Sequence, residues 1–272
     1  MKGLLFFSLI IIACLTGSCS GINKKKESAR HINENAEVTC AERFSLQSTD
    51  SCTILTIIDP WQGANGISQV YYLAEREKAL ALKGDSSRII TVPVKKIICM
   101  SSTHLAMICA LGEQKTIAGI SGINFIYDQN LRDRADSGLI GEIGYDAGIN
   151  TELILKIAPD LIMMYGIGSE SAGYSGKISE LGIKVLYNAD YLENDPLGKA
   201  EWIKLFGALY CKEEMADSIY KVVEASYNET KSFITSKITK RPGVLLGLPF
   251  RDTWFISPGN SYICRLISQA GG

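Results

Sequence analysis

Ser101-Ser102-Thr103-His104 is the one place in the sequence where hydroxyls and an imidazole adjoin, the pairing that turns a serine into a nucleophile for acyl transfer. Neighbouring Ser and His on a single loop rarely face each other, and no carboxylate stands beside them to orient the ring. An exported hydrolase is therefore the minor reading. The sequence carries no GxSxG elbow, no P-loop, no GxGxxG after a strand and no HExxH. It has 2 histidines, and His31 lies far from His104, so a multi-histidine site for a bare transition ion cannot be assembled.

The segments that must hold these residues show clear periodicity. "KKIICM" (95–100) reads as a strand, and "THLAMICALG" (103–112) as a helix that Thr103 can cap and Gly112 can end. "TIAGIS" (116–121) is the next strand. After a long loop come "NTELILKI" as helix, "DLIMMY" as strand, "GKISELG" as helix and "IKVLYN" as strand. This order, with short connections, predicts an α/β fold whose parallel sheet is covered by helices. Asp195-Pro196 opens a further helix, with Leu197, Ile203, Phe206 and Leu209 at helical spacing. From Glu213 to Lys237 a longer pattern places Met215, Ile219, Val222, Val223, Tyr227 and Ile234 on one face. Such a helix spans on the order of 35 Å, enough to join two lobes, although a long surface helix on a single domain fits the same periodicity. Beyond Arg241-Pro242, "GVLLGLPF" predicts a strand, and "RDTWFISPGNSYICRLISQAGG" a loop and a helix. Upstream, residues 44–94 are β in character: "CTILTIID" and "QVYYLA" flank the turn cluster "PWQGANG" and predict a hairpin added to the edge of the parallel sheet.

The first residues read as an export signal, residues 1–18: Lys2 precedes Leu4, Leu5, Phe6, Phe7, Leu9, Ile10, Ile11 and Ile12, a stretch too short for a permanent span. Leu15-Thr16-Gly17-Ser18-Cys19 resembles a bacterial lipobox, which implies acylation of Cys19. A secretory signal cut near Ser18, with Cys19 an ordinary thiol, is the alternative. Residues 19–43, with Lys24, Lys25 and Lys26, then form a solvated tether. The chain balances 28 basic against 29 acidic residues and has no basic stripe outside the tether, so nucleic acid is not an expected partner. Of the 8 cysteines, Cys14 and Cys19 belong to the signal and lipobox, while Cys99, Cys109 and Cys264 read as small buried hydrophobes. Cys40 and Cys52 are the pair to consider for a bridge, and no CxxC or Cys/His spacing indicates a metal.

The runs "KKIICMSSTHLAMICALGEQKTIAGIS", "GEIGYDAGINTELILKIAPDLIMMYG", "ISELGIKVLY" and "FISPGNSYICRLISQAGG" resemble the substrate-binding proteins of bacterial ABC importers that serve iron-siderophores, haem and cobalamin. The resemblance covers about Val94 to Gly272 and leaves the hairpin region outside the shared core. It implies a two-lobed α/β fold with an N-terminal lobe at 95–194, inter-lobe helices at 195–240 and the start of a C-terminal lobe at 241–272. It also implies a binding protein rather than an enzyme, held in the periplasm or cell envelope by a lipid anchor. Its partners would be an ABC permease and ATPase, and it would carry no cofactor of its own.

In such a fold ligands sit beyond the carboxyl ends of the strands. The matching loops nominate Ser102 and His104, Phe125 and Tyr127, Tyr145, Tyr165, Asp190 and Tyr191, with Arg251 and Trp254 from the second lobe. Tyr145 and Tyr165 stand where the cobalamin-binding members carry aromatics. Several aromatic faces beside a single arginine favour a corrinoid or haem over an anionic ferric siderophore. Glu170, in "GIGSESAGYSGK", matches the acid by which the first lobe docks on the permease. The family's second lobe holds a full sheet, whereas this sequence supplies one strand and one helix of it. That implies a truncated lobe, because so short a piece cannot close a core. A structural envelope lipoprotein is a further alternative, disfavoured by the alternating α/β pattern.

Overall fold

A computed structural model describes residues 37–145, 148–167 and 170–272, without the side chains of residues 170–174. The export signal, Cys19 and most of the expected tether lie outside the described residues, as does the side chain of Glu170. Residues 44–94 hold more than a hairpin. Strands β1 (Phe44–Ser48), β2 (Thr53–Ile58) and β3 (Ser68–Glu75) form an antiparallel meander, with Phe44 opposite Ile57 and Thr53 opposite Leu73. Helix α1 (Arg76–Ala81) returns the chain so that β4 (Ile89–Val92) pairs parallel to β3, Tyr72 opposite Ile89. The expected edge hairpin is therefore a four-stranded sheet of its own, in the order β1-β2-β3-β4. The cause is its alternation: Leu55, Ile57, Tyr71, Leu73, Ile90 and Val92 are buried while Ile58, Val70 and Tyr72 are exposed. A sheet apolar on one face needs a layer packed on that face, which pairing at another sheet's edge does not supply.

The second sheet comprises β5 (Ile97–Cys99), β6 (Ile117–Ile120), β7 (Gly141–Glu142), β8 (Leu161–Met164) and β9 (Val185–Tyr187), all parallel, in the order β7-β6-β5-β8-β9. Between the strands run α2 (Ser102–Ala110), α3 (Gln129–Asp136), α4 (Thr151–Ile157) and α5 (Glu170–Glu180). Strands β5 and β8 are buried on both faces, as central parallel strands are. Ile97, Cys99, Leu161 and Met163 pack toward α2, while Ile98, Met100, Ile162 and Met164 pack with Ile154 of α4 and Ile178 of α5. Strand β7 and helix α3 fall where the sequence reads as a long loop. The former has two residues, and the latter, QNLRDRAD, buries Leu131 alone.

Helices α6 (Pro196–Glu201) and α7 (Ile203–Tyr210) follow, and α7 is buried along its whole length. Trp202 and Phe206 share one core with Phe44, Leu55 and Tyr71 of the first sheet and Ile97 and Leu161 of the second. Lys204 is buried with them, its Nζ donating to Glu201 at 2.8 Å and to the Glu37 carbonyl at 2.8 Å. The end of the expected tether is docked rather than solvated. Glu201 accepts the amides of Thr39 at 3.0 Å, Cys40 at 2.7 Å and Ala41 at 2.9 Å, and Glu193 accepts those of Glu42 and Arg43. A buried carboxylate demands donors, and an extended chain offers a row of free N–H groups. Cys40 and Cys52 are free thiols, and Cys109 and Cys264 are half-buried rather than buried.

Helix α8 (Glu213–Lys237) has the bounds that the periodicity predicts, but Ala216 and Tyr220 are its buried residues. Met215, Val222 and Val223 of the expected packing face are exposed. The strand expected at 243–250 does not form, and an isolated bridge joins Phe250 to Thr253. A strand needs a neighbour for its N–H and C=O groups, and among the described residues none pairs there. Helix α9 (Tyr262–Gln269) turns back on α8, where the Tyr227 hydroxyl donates to Gln269, and Arg265 pairs with Asp195 at 3.0 Å.

Candidate ligand-binding site

The chain leaves β5 to build β6 and β7 on one side, then crosses to build β8 and β9 on the other. That reversal is a topological switch point, the place where open parallel sheets form a crevice beyond their carboxyl ends. On the β6 side, the Glu142 carboxylate ties two loops together by accepting the amides of Gly122 at 2.9 Å, Ile123 at 2.6 Å and Gly144 at 3.1 Å. Gly122 takes a φ of 84°, and a Cβ there would overlap the Tyr145 hydroxyl and meet Phe125 Cδ2 at 2.8 Å. Phe125 and Tyr145 thus flank one glycine, both exposed, with Tyr127 exposed nearby. On the β8 side, Tyr165 meets Tyr191 edge to face, with centroids 6.3 Å apart. The Tyr191 hydroxyl donates to the Gly166 carbonyl and accepts the Gln62 amide at 3.1 Å. Burial raises the Tyr191 pKa, so it stays a neutral donor. Ser102 lies exposed between the two groups, in the first turn of α2.

Four nominated residues stand elsewhere. His104 is fully buried beneath α2, beside Leu105 and Ile108, and burial pushes its pKa down to about 3. The first helical turn carries it inward: residues 104, 105, 108 and 111 share the apolar face of α2. Ser102 and His104 therefore point apart, and no nucleophile–base pair exists at this cluster. Asp190 is buried, with its pKa raised by burial and opposed by Lys199, so it forms part of the turn after β9 rather than an open contact. Arg251 lies over Phe250, and the Trp254 indole donates to the Leu246 carbonyl at 3.1 Å. No hydrogen bond or ring contact among the described residues joins either to the rim, and the strand expected to lead into their loop is not formed. Thr103, expected as the cap of α2, gives way to Ser101, whose Oγ accepts the Thr103 amide at 3.3 Å.

Two features at this end of the sheet, Glu142 and the Trp61 ring beside Tyr187, carry little signal in the sequence. Glu142 reads in sequence as one more loop acid, and Trp61 sits in the turn cluster "PWQGANG". A tryptophan among turn glycines is the one signal that could have drawn attention to the second.

A family model described as "Periplasmic binding protein" matches residues 97–272, from β5 to the last residue. The chain belongs to that family. Its members are binding proteins and not enzymes. The first sheet lies outside the matched stretch. The chain is similar to an uncharacterized lipoprotein of Methanocaldococcus jannaschii, 31% identical over 197 residues, covering 68% of this chain and 45% of the relative. A second uncharacterized lipoprotein of that organism is 28% identical over 219 residues, covering 77% and 54%. The chain spans about half the length of the curated relatives it matches. Among solved structures, a possible iron-binding (periplasmic solute-binding) protein from Staphylococcus epidermidis shares the fold, with a TM-score of 0.52, 19% identity and 66% of each chain covered.

Proposed function

We propose that this chain is the substrate-binding component of an ABC importer, capturing a metal chelate and delivering it to a permease driven by an ATPase. One observation carries the reading. In a periplasmic binding protein, the crevice at the switch point is bordered by two aromatic groups, Phe125 with Tyr145 and Tyr165 with Tyr191, on either side of Ser102. Strands β6 and β8 both flank β5, so the two groups stand about two strand spacings, roughly 10 Å, apart. Flat apolar ligand faces can be buried on such a rim. Arg43 bears on the rim beside Tyr191, its guanidinium already bonded to the Leu192 and Asp59 carbonyls, and the Glu142 carboxylate opposes it, so a triply anionic ferric siderophore would be poorly compensated. A corrinoid or haem-like macrocycle is the better match.

Attachment at Cys19 is supported by the lipobox-like sequence and by the lipoprotein names of two relatives. It would place the protein at the outer face of a membrane, within the cell envelope. Glu170, at the start of α5 just past the rim, is proposed to dock on the permease. Among the described residues no helix is long and apolar enough to cross a membrane. Substitution tests the ligand reading: Tyr145→Ala and Tyr165→Ala are expected to weaken cobinamide binding tenfold or more in calorimetry, and unchanged affinity in both removes the site.

A further inference from the structure

The β2–β3 loop, residues 59–67, lies outside the stretch that matches the family and yet reaches its ligand end. Its base is closed on itself: the Asp59 amide donates to the Ile67 carbonyl at 2.8 Å, and the Asp59 carboxylate accepts the Ile67 amide at 3.0 Å. Gly63 and Gly66 take φ of 89° and 70°, which lets the intervening chain fold back in so short a span. Its far side is fastened to the carboxyl ends of β8 and β9. The Trp61 ring lies 5.3 Å from that of Tyr187, and the Gln62 amide donates to the Gly166 carbonyl at 2.9 Å and to the Tyr191 oxygen at 3.1 Å. A Cβ on Gly166 would overlap that of Trp61, so the glycine is what lets the loop lie this close. Gln62 and Asn65 remain exposed.

Two residues suffice to connect antiparallel strands, and this loop is far longer. Its extra length brings it to the one end of the parallel sheet where ligands bind. We propose that residues 59–67 form an added wall of the ligand cleft, and that the neutral amides of Gln62 and Asn65 select chelates by hydrogen bonding to uncharged amide groups on their periphery. This rests on the chelate-binding role proposed above. A side-chain amide both donates and accepts, so it pairs fully with a carboxamide. A carboxylate periphery would lose hydration there and could gain only the half-buried Arg43, whose guanidinium is already held by the Leu192 and Asp59 carbonyls.

The test compares dicyanocobinamide, whose periphery carries amides, with haemin, whose periphery carries carboxylates, by calorimetry on the complete protein with its second lobe entire. The variants are Gln62→Ala with Asn65→Ala, and separately Gly166→Ala, which displaces the loop without altering it. Both are expected to lower the affinity for cobinamide relative to haemin fivefold or more, the double substitution with no change in Tm. An unchanged ratio in both variants overturns the loop's role and leaves chelate binding standing. A wild-type chain that binds neither probe overturns chelate binding and the loop's role with it.

Discussion

The His104 imidazole packs 6.4 Å from the Phe206 ring, centroid to centroid, and neither of its nitrogens has a polar partner among the described residues. Such a ring stays neutral: burial lowers its pKa from 6.5 to about 3. Between those values the unfolded chain holds more protons than the folded one. The stability tied to this residue is thus fully present above pH 6.5 and is lost as pH falls through the window. At pH 5 the loss is about 2 kcal/mol. His104→Leu should keep that amount when urea unfolding at pH 7.5 and pH 5 is compared with wild type. Equal pH dependence in the two proteins would place the imidazole in contact with water.

Glu201 offers a second stability test. Burial alone would raise its pKa, but Lys204 and the amides of Thr39, Ala41 and Cys40 outweigh it and hold the carboxyl below its ordinary value. Its contribution is therefore present above the unfolded carboxylate pKa and fades as pH drops through the folded one. Glu201→Gln leaves buried Lys204 with the more distant Asp217, at 3.9 Å, in place of its close partner and should cost about 3 kcal/mol. Adding Lys204→Met should recover part of that loss. Denaturant midpoints decide: a cost within 0.5 kcal/mol, about the size expected of an ordinary surface change, contradicts the buried pair.

Gly122 joins fold to function. A side chain there strains a positive φ and collides with Tyr145 and Phe125. Gly122→Ala should lower Tm by a few degrees and weaken macrocycle binding at least tenfold. Retained affinity would mean that the Phe125–Tyr145 pair does not touch ligand.

The envelope assignment is tested in cells. Cys19→Ser should release the protein from membranes or leave its precursor uncut, since stable anchoring needs more than one acyl chain and this residue would carry them. Glu170→Lys should leave ligand affinity intact and cut uptake, because rim charges act mainly on association. Unchanged fractionation in the first variant, or unchanged uptake in the second, removes the respective assignment.

Much of the parallel sheet was legible because buried strands announce themselves: "KKIICM" and "DLIMMY" are apolar runs too short for helices, and they become β5 and β8. The same signal misled at "GVLLGLPF", where composition allows a strand but pairing needs a neighbour. His104 follows a strand end, which suggests a cleft contact, but helical phase decides its place, since Leu105, Ile108 and Leu111 mark the buried face that it shares. The first sheet gains its fourth strand from the α1 return that pairs β4 with β3, and a six-residue helix leaves little periodicity to read. The Trp61 loop shows in sequence only as a tryptophan among turn glycines. Its chemistry lies in Gly166 and Tyr191, more than a hundred residues away in sequence.

Titration of the complete protein, with its second lobe entire, against cobinamide, cobalamin, haemin and ferric-enterobactin, followed by calorimetry, tests chelate binding most directly. A corrinoid or haemin is predicted to bind one to one and at least tenfold more tightly than the siderophore. A tenfold preference for the siderophore, about 1.4 kcal/mol the other way, or no heat with any of the four, would contradict the account.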